Sequence, residues 1–227
     1  MDLKLKSIDD AIKRTKERIA RACRRAGRAE SGVRLIGATK GVNIEQIRYA
    51  AGCGLKDFGE NYIQEAKEKI EGFGESACWH MIGHIQMNKV KYIPKLFDYV
   101  HSVDRWEILE TLDRYGKDLK VLFELKLAHE ESKHGMEEDS LKKMLENIKP
   151  LRHIEPIGLM TMPPLVEDPE EVRGIFRRLN EILQTVNREF AFHMTELSMG
   201  MSSDFEVAIE EGATMVRIGT AIFGERA

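Results

Sequence analysis

The stretch FHMTELSMGMSSDFEVAIEEGATMVRIGTAIFG, residues 192–224, decides the fold. Its first part, 192–200, reads as a strand. A helical pattern follows around 203–211 and is stopped by Gly212, and TMVRIGTAIFG, 214–224, reads as another strand. Strand, helix and strand in immediate succession form the repeating unit of a parallel sheet, and the question is how often the unit occurs.

Working back towards the N-terminus, the same alternation recurs. IEPIGLMTM (154–162) precedes a long helix that starts at Asp168-Pro169, an N-cap followed by proline at the first helical position, and carries Val172, Phe176, Leu179, Leu183 and Val186 on one face. KVLFELKLA (120–128) precedes a helix near 139–147, and YVHSV (99–103) one at 105–115. WHMIGHI (79–85) precedes a basic helix near 87–95, DFGEN (57–61) a helix at 62–71, and VRLIGATK (33–40) a helix around 44–52. Ahead of them all, Ser7 and Asp10 are spaced as a capping box, and Ile8, Ile12, Ile19 and Cys23 recur at helical spacing up to about Gly27.

Eight strands spaced about 20–25 residues apart, each but the last with room for a full helix, fit one α/β domain over 1–227: a (β/α)8 barrel with an extra N-terminal helix. The competing arrangement is an open doubly wound sheet, but no GxGxxG follows any strand. The two differ in one respect: only the barrel makes the first and last strands neighbours.

Composition narrows the function. The chain has 227 residues and a net charge of -3, which argues against a large nucleic-acid surface. No run approaches the ~18–20 apolar residues of a membrane span, and the charged N-terminus lacks the apolar core of a secretory signal. Cys23, Cys53 and Cys78 form no CxxC, so neither a disulfide framework nor a thiolate metal site is expected, and the chain reads as cytoplasmic.

A barrel places its chemistry at the C-terminal ends of the strands. Lys40 closes the first strand on the face shared by Ile36 and Ala38; if that face points inward, partial desolvation frees its amine to attack a carbonyl, and if not, the side chain turns out to solvent. Leu197–Ser203 ends the seventh strand with Gly200 and two serines at a helix start, an anion site unless both serines merely cap the helix. Arg217-Ile218-Gly219-Thr220 adds a second glycine turn beside it, and the loops after strands seven and eight are the usual phosphate site of such barrels. Arg217 lies between Val216 and Ile218 and needs a buried partner, either a carboxylate or a ligand atom. His80 and His84 suggest no metal, Trp79 reads as packing, and Lys89, Lys91 and Lys95 read as a solvated face. A lysine, a phosphate cup and a buried arginine together suit a phosphorylated carbonyl compound: pyridoxal 5'-phosphate satisfies all three, a sugar phosphate the first two.

Several blocks carry a resemblance: ATKG (38–41), FGENYIQEA (58–66), WHMIGHIQMNK (79–89), SVD (102–104), EESKHG (130–135), GLMTM (158–162) and the long block 197–224. They resemble the pyridoxal-phosphate homeostasis protein family, single-domain relatives of the alanine racemase N-terminal barrel, over nearly the whole chain. The resemblance implies that Lys40 holds pyridoxal 5'-phosphate as a Schiff base, that Ser202 with the backbone at Gly219 and Thr220 holds the phosphate, and that Arg217 faces the ring nitrogen. Asn61, His84, Met160 and Met199 match positions lining the pocket. The family usually reads close to Q-V-N where this chain has Glu124-Leu125-Lys126, which leaves one pocket contact open and adds a second amine.

The implied function is a monomeric carrier that buffers the cofactor and hands it to apo-enzymes dependent on it. A weak amino-acid racemase is the alternative, and a sugar-phosphate enzyme of the aldolase type a more distant one. Arginine opposite the ring nitrogen leaves the ring a poor electron sink. A barrel fills the 227 residues, leaving none for a second domain to supply another acid–base group.

Overall fold

A computed structural model describes residues 3–74, 77–128 and 134–225. Part of the EESKHG block lies outside them. Helix α1 (Leu3–Arg25) leads into β1 (Arg34–Ala38) and α2 (Ile44–Gly52). Then come β2 (Asp57–Glu60), α3 (Ile63–Phe73), β3 (Cys78–Met81), α4 (Ile93–Leu96), β4 (Tyr99–Val103) and α5 (Trp106–Arg114). β5 (Leu119–Glu124), α6 (Glu138–Asn147), β6 (Ile154–Met160) and α7 (Arg173–Phe190) follow, and β7 (Glu196–Ser198), α8 (Phe205–Glu210), β8 (Met215–Ile218) and α9 (Thr220–Phe223) come last among the described residues.

The strands form a closed parallel barrel in sequence order. The decisive pairing is β1 with β8, in the register Arg34↔Met215 through Gly37↔Ile218. An open sheet is thereby excluded, and the (β/α)8 expectation holds.

Two apolar clusters build the molecule. The larger lies between barrel wall and helices, and includes Phe58 packed against Trp79 with ring centroids 5.4 Å apart, so Trp79 is packing as expected. The smaller consists of Ile36, Tyr99, Leu122, Met160 and Met215, and fills part of the barrel interior. At ~25 cal/mol per Å2, burial of this kind supplies the main driving force for closure. Close approach also matters: a methyl group on Gly158 would run into the carbonyl of Glu196 on the neighbouring strand.

Several element boundaries differ from the sequence reading. Ser7 lies inside α1 and does not cap it. The last strand stops at Ile218, because Gly219 turns the chain and the short apolar run after it coils as α9; such a run has no periodicity that separates strand from helix. β3 ends at Met81, so His84 stands on a loop. Neither serine caps the helix after β7: α8 starts at Phe205 with no side-chain cap, and the Asp204 carboxylate accepts from the Met201 amide at 2.6 Å. At the start of the long helix, Asp168 does cap, accepting from the Glu170 amide at 3.0 Å, and Pro169 opens a 3-10 turn.

Candidate functional site

Lys40 stands two residues beyond the end of β1, on a short segment held from both sides. The Thr39 amide donates to Gly59 O at 2.9 Å. The Lys69 ammonium donates to Thr39 O (2.6 Å), Glu60 Oε1 (2.7 Å) and Glu65 Oε2 (3.0 Å), and Glu65 also accepts from the Gly41 amide at 3.0 Å. The peptides on either side of Lys40 are therefore fixed by one α3 cation and its two carboxylates. Burial raises the Glu60 carboxyl above its ordinary range despite the bond from Lys69. Lys40 is half-buried, and its ammonium lies 4.9 Å from the centroid of the Tyr62 ring.

Lys40 shares a cavity of about 370 Å3 with Gly41, Gly219 and Thr220. Behind Gly219 the β7 and β8 loops are tied together, since the Ser202 hydroxyl accepts from the Ala221 amide at 3.2 Å and Gly200 O accepts from the Arg217 amide at 3.0 Å. Gly200 has φ +92°, and a Cβ there would sit 2.7 Å from Ala208 Cβ. Only glycine lets the β7 loop lie this close to α8. A second cleft, of about 420 Å3, is lined by Asn61, Tyr62, His84, Glu124 and His134 among others. Tyr62 borders this cleft and also has the Lys40 ammonium against its ring, so one residue from the lining of each cavity is in contact with the other.

Arg217 is 4 % exposed. It donates to Ser198 Oγ at 2.6 Å and to Thr161 O at 3.0 Å, and among the described residues no carboxylate oxygen lies within 4 Å of it. Burial pulls its guanidinium down to about 10, against the pull of Glu124 and Asp204, so it is charged at neutral pH. Glu124, at the end of β5 and 3 % exposed, is pushed the other way, to about 7, by burial and the negative charge of Asp104. His84 stacks on His134 with centroids 3.7 Å apart, and burial and that neighbour lower its pKa.

These features occur in a chain with many relatives. The profile described as alanine racemase, N-terminal domain, matches residues 11–227. The pyridoxal phosphate homeostasis protein of Aquifex aeolicus is 45 % identical over 222 residues, 96 % of this chain and 97 % of that one. The chain belongs to the pyridoxal phosphate homeostasis protein family. PipY of Synechococcus elongatus, whose structure was solved with PLP bound, is 34 % identical with a TM-score of 0.82, covering 92 % of this chain and 99 % of that one. A solved protein of Bifidobacterium adolescentis is also 34 % identical, with a TM-score of 0.91 over 98 % of this chain and 97 % of that one.

Within this family member, the nine expected site residues divide into three groups. Lys40, Gly219 and Thr220 share the first cavity, with Ser202 bonded to the backbone behind it. Asn61 and His84 line the second. Arg217, Met160 and Met199 are buried, the two methionines fully so, with Met160 inside the barrel and Met199 in the outer cluster. Lys126 is not among the lining residues of either cavity, and its amide donates to Met136 O at 3.0 Å.

Sequence reasoning missed Glu124 as a cleft residue and missed the polar barrel interior altogether. It also weighed His80 only against His84. His80 instead meets Asp57 and Cys78, and His84 meets Asp104 and His134, each trio with its ligand-type atoms within 4.8 Å of one another. In the first trio Asp57 already accepts from Arg34 and His80. In the second the imidazole planes lie 15° apart and stacked, so their nitrogens do not converge in-plane on one ion. No helix among the described residues is long and apolar enough to cross a membrane.

Proposed function

We propose that this protein binds pyridoxal 5'-phosphate as a Schiff base on Lys40 and acts as a cytoplasmic carrier that buffers the cofactor and passes it to apo-enzymes. The observation that carries this reading is Arg217: a buried, charged guanidinium with no carboxylate in contact among the described residues, on the strand that runs into the Gly219-Thr220 turn beside Lys40. Such a group calls for an acceptor from a ligand. A ring nitrogen fits it, and the PLP-bound structure of a 34 % identical relative supports the same ligand.

In this reading the Lys40 amine condenses with the ligand's aldehyde carbon, forming a C=N bond and releasing one water. Ser202 and the backbone of Gly219 and Thr220 hold the phosphate. Asn61 and His84 flank the ring, Met160 keeps the ground beneath it dry, and Met199, in the outer cluster, backs the barrel wall behind it. When bound, the cofactor supplies an electrophilic imine and an electron sink. Arg217 weakens that sink, because a guanidinium donates a hydrogen bond to the ring nitrogen without surrendering its proton. The whole chain is taken to be one binding domain, working as a monomer.

A weak racemase is the second reading, and Glu124 favours it: a cleft carboxyl poised at about 7 is an acid–base group available near neutral pH. The test is spectroscopic and kinetic. Purified protein mixed with the cofactor is expected to turn yellow and Lys40→Ala to stay colourless, while D- and L-alanine interconvert no faster than with free cofactor. Turnover well above that background supports the racemase, and colourless wild-type protein refutes both readings.

A further inference from the structure

The barrel interior contains a continuous line of polar side chains from β2 to β8. Asp57 Oδ1 lies 3.0 Å from His80 Nε2; His80 Nδ1 lies 2.9 Å from His101 Nε2; His101 Nδ1 lies 2.7 Å from Ser198 Oγ; and Arg217 Nη1 donates to that hydroxyl at 2.6 Å. His80, His101 and Ser198 are each 0 % exposed.

Both ends fix the direction of every bond between them. Arginine has only donors, so Ser198 Oγ accepts from Arg217, and its own hydrogen is free to go to His101 Nδ1. Asp57, which burial alone would raise, is held below the ordinary carboxylate range by the bonds from His80 and Arg34, so it is an acceptor. A neutral His80 must then give its Nε2–H to Asp57 and accept at Nδ1, from His101 Nε2–H. Reasoning from either end gives the same order: Arg217 to Ser198 to His101 to His80 to Asp57. The alternative places an extra proton on this imidazole pair, and burial opposes it at both rings.

We infer that Asp57, His80 and His101 are positioning residues for Arg217, forming a proton-ordered chain that links the guanidinium on β8 to a carboxylate on β2. The chain supplies part of the counter-charge of this buried arginine, relayed through three neutral groups that polarise one another, beside the ligand acceptor that the proposed function assigns to the guanidinium. The chain and the Thr161 carbonyl fix the guanidinium from the inner side. Other groups act on this line. Arg34 bonds Asp57 at 3.1 Å, Cys78 lies beside Asp57, Tyr99 stacks on His80 at 4.5 Å with Lys120 over its ring, and Glu124 and Asp204 act on Arg217.

The effect on the cofactor rests on the proposed function, whereas the ordering of the chain does not, and the test separates them. In protein without cofactor, nitrogen-15 NMR at pH 7 is expected to show His80 and His101 neutral, both carrying hydrogen on Nε2. A Nδ1–H form or an imidazolium at either ring overturns the chain. With pyridoxal 5'-phosphate added, Asp57→Asn keeps an acceptor oxygen but removes the charge. It is expected to move the pH midpoint of the bound cofactor's visible absorbance by about half a unit or more. His101→Phe is expected to weaken cofactor binding by about tenfold. Val186→Ala, which thins the outer core on α7, is expected to alter neither. Wild-type midpoints and affinities in both interior variants overturn the positioning role. Failure of wild-type protein to bind the cofactor removes the carrier reading and the positioning role with it, and leaves the NMR result to decide the chain.

Discussion

The ammonium of Lys69 donates to the carbonyl oxygen of Thr39 at 2.6 Å, one residue before Lys40. One cation on α3 thus sets the backbone from which the proposed cofactor lysine projects, and it does so while paired with Glu60, whose side chain is fully buried. Lys69→Met leaves that carboxyl buried without its partner and is expected to cost about 3 kcal/mol. Lys69→Met with Glu60→Gln together is expected to recover more than half of that loss, since neither charge is then stranded. Denaturant titrations of the two variants and of Glu60→Gln close the cycle.

Glu124 gives a pH-dependent prediction with a definite sign. Its folded carboxyl is raised from 4.5 to about 7, so between these values the folded chain holds a proton that the unfolded chain has lost. Stability therefore falls as pH rises from ~4.5 towards ~7, by up to about 3 kcal/mol in total. Glu124→Gln is expected to match wild type at pH 4.5 and to be the more stable at pH 8. Urea midpoints at the two pH values measure this directly.

His80 and His101 act in the opposite direction. Burial lowers both, His101 well below its usual value, so below ~6.5 the unfolded chain binds protons that the folded one refuses. Their contribution to stability is present above that value and is lost as pH falls through it. His101→Phe is expected to flatten the slope of stability against pH below ~6.5 by about one proton, as read from thermal or urea midpoints across the acid range.

Gly83 tests the link between packing and the site. A Cβ at this position would run into the backbone of Asn61, at the end of the neighbouring β2 loop. Gly83→Ala is expected to destabilise the fold by more than about 2 kcal/mol and to weaken cofactor binding by displacing Asn61. An unfolding curve and an absorbance titration on the same preparation report both effects.

How much of this was legible in the sequence follows from how local each signal is. The eight strand–helix units could be read because each lies within about 25 residues, and the β1–β8 pairing that closes the barrel follows from their number. Lys40, Gly219 and Thr220 were legible as strand-end residues, and they do share a cavity. The interior chain was not, because its links join residues 21 and 97 positions apart, and each member reads locally as one polar residue in a short apolar strand. Glu124 was hidden for a related reason: its burial and its raised pKa come from the packing of other elements. Strand ends were overrun where a short apolar segment continued past a turn, as at Gly219.

The central claim is that Lys40 carries the cofactor, and the most direct measurement is chemical. Protein loaded with pyridoxal 5'-phosphate is reduced with borohydride, digested, and its peptides weighed by mass spectrometry. A single reduced phosphopyridoxyl adduct is expected on the peptide containing Lys40, absent from Lys40→Ala. An adduct on Lys126 in place of Lys40, or none on any lysine, contradicts it.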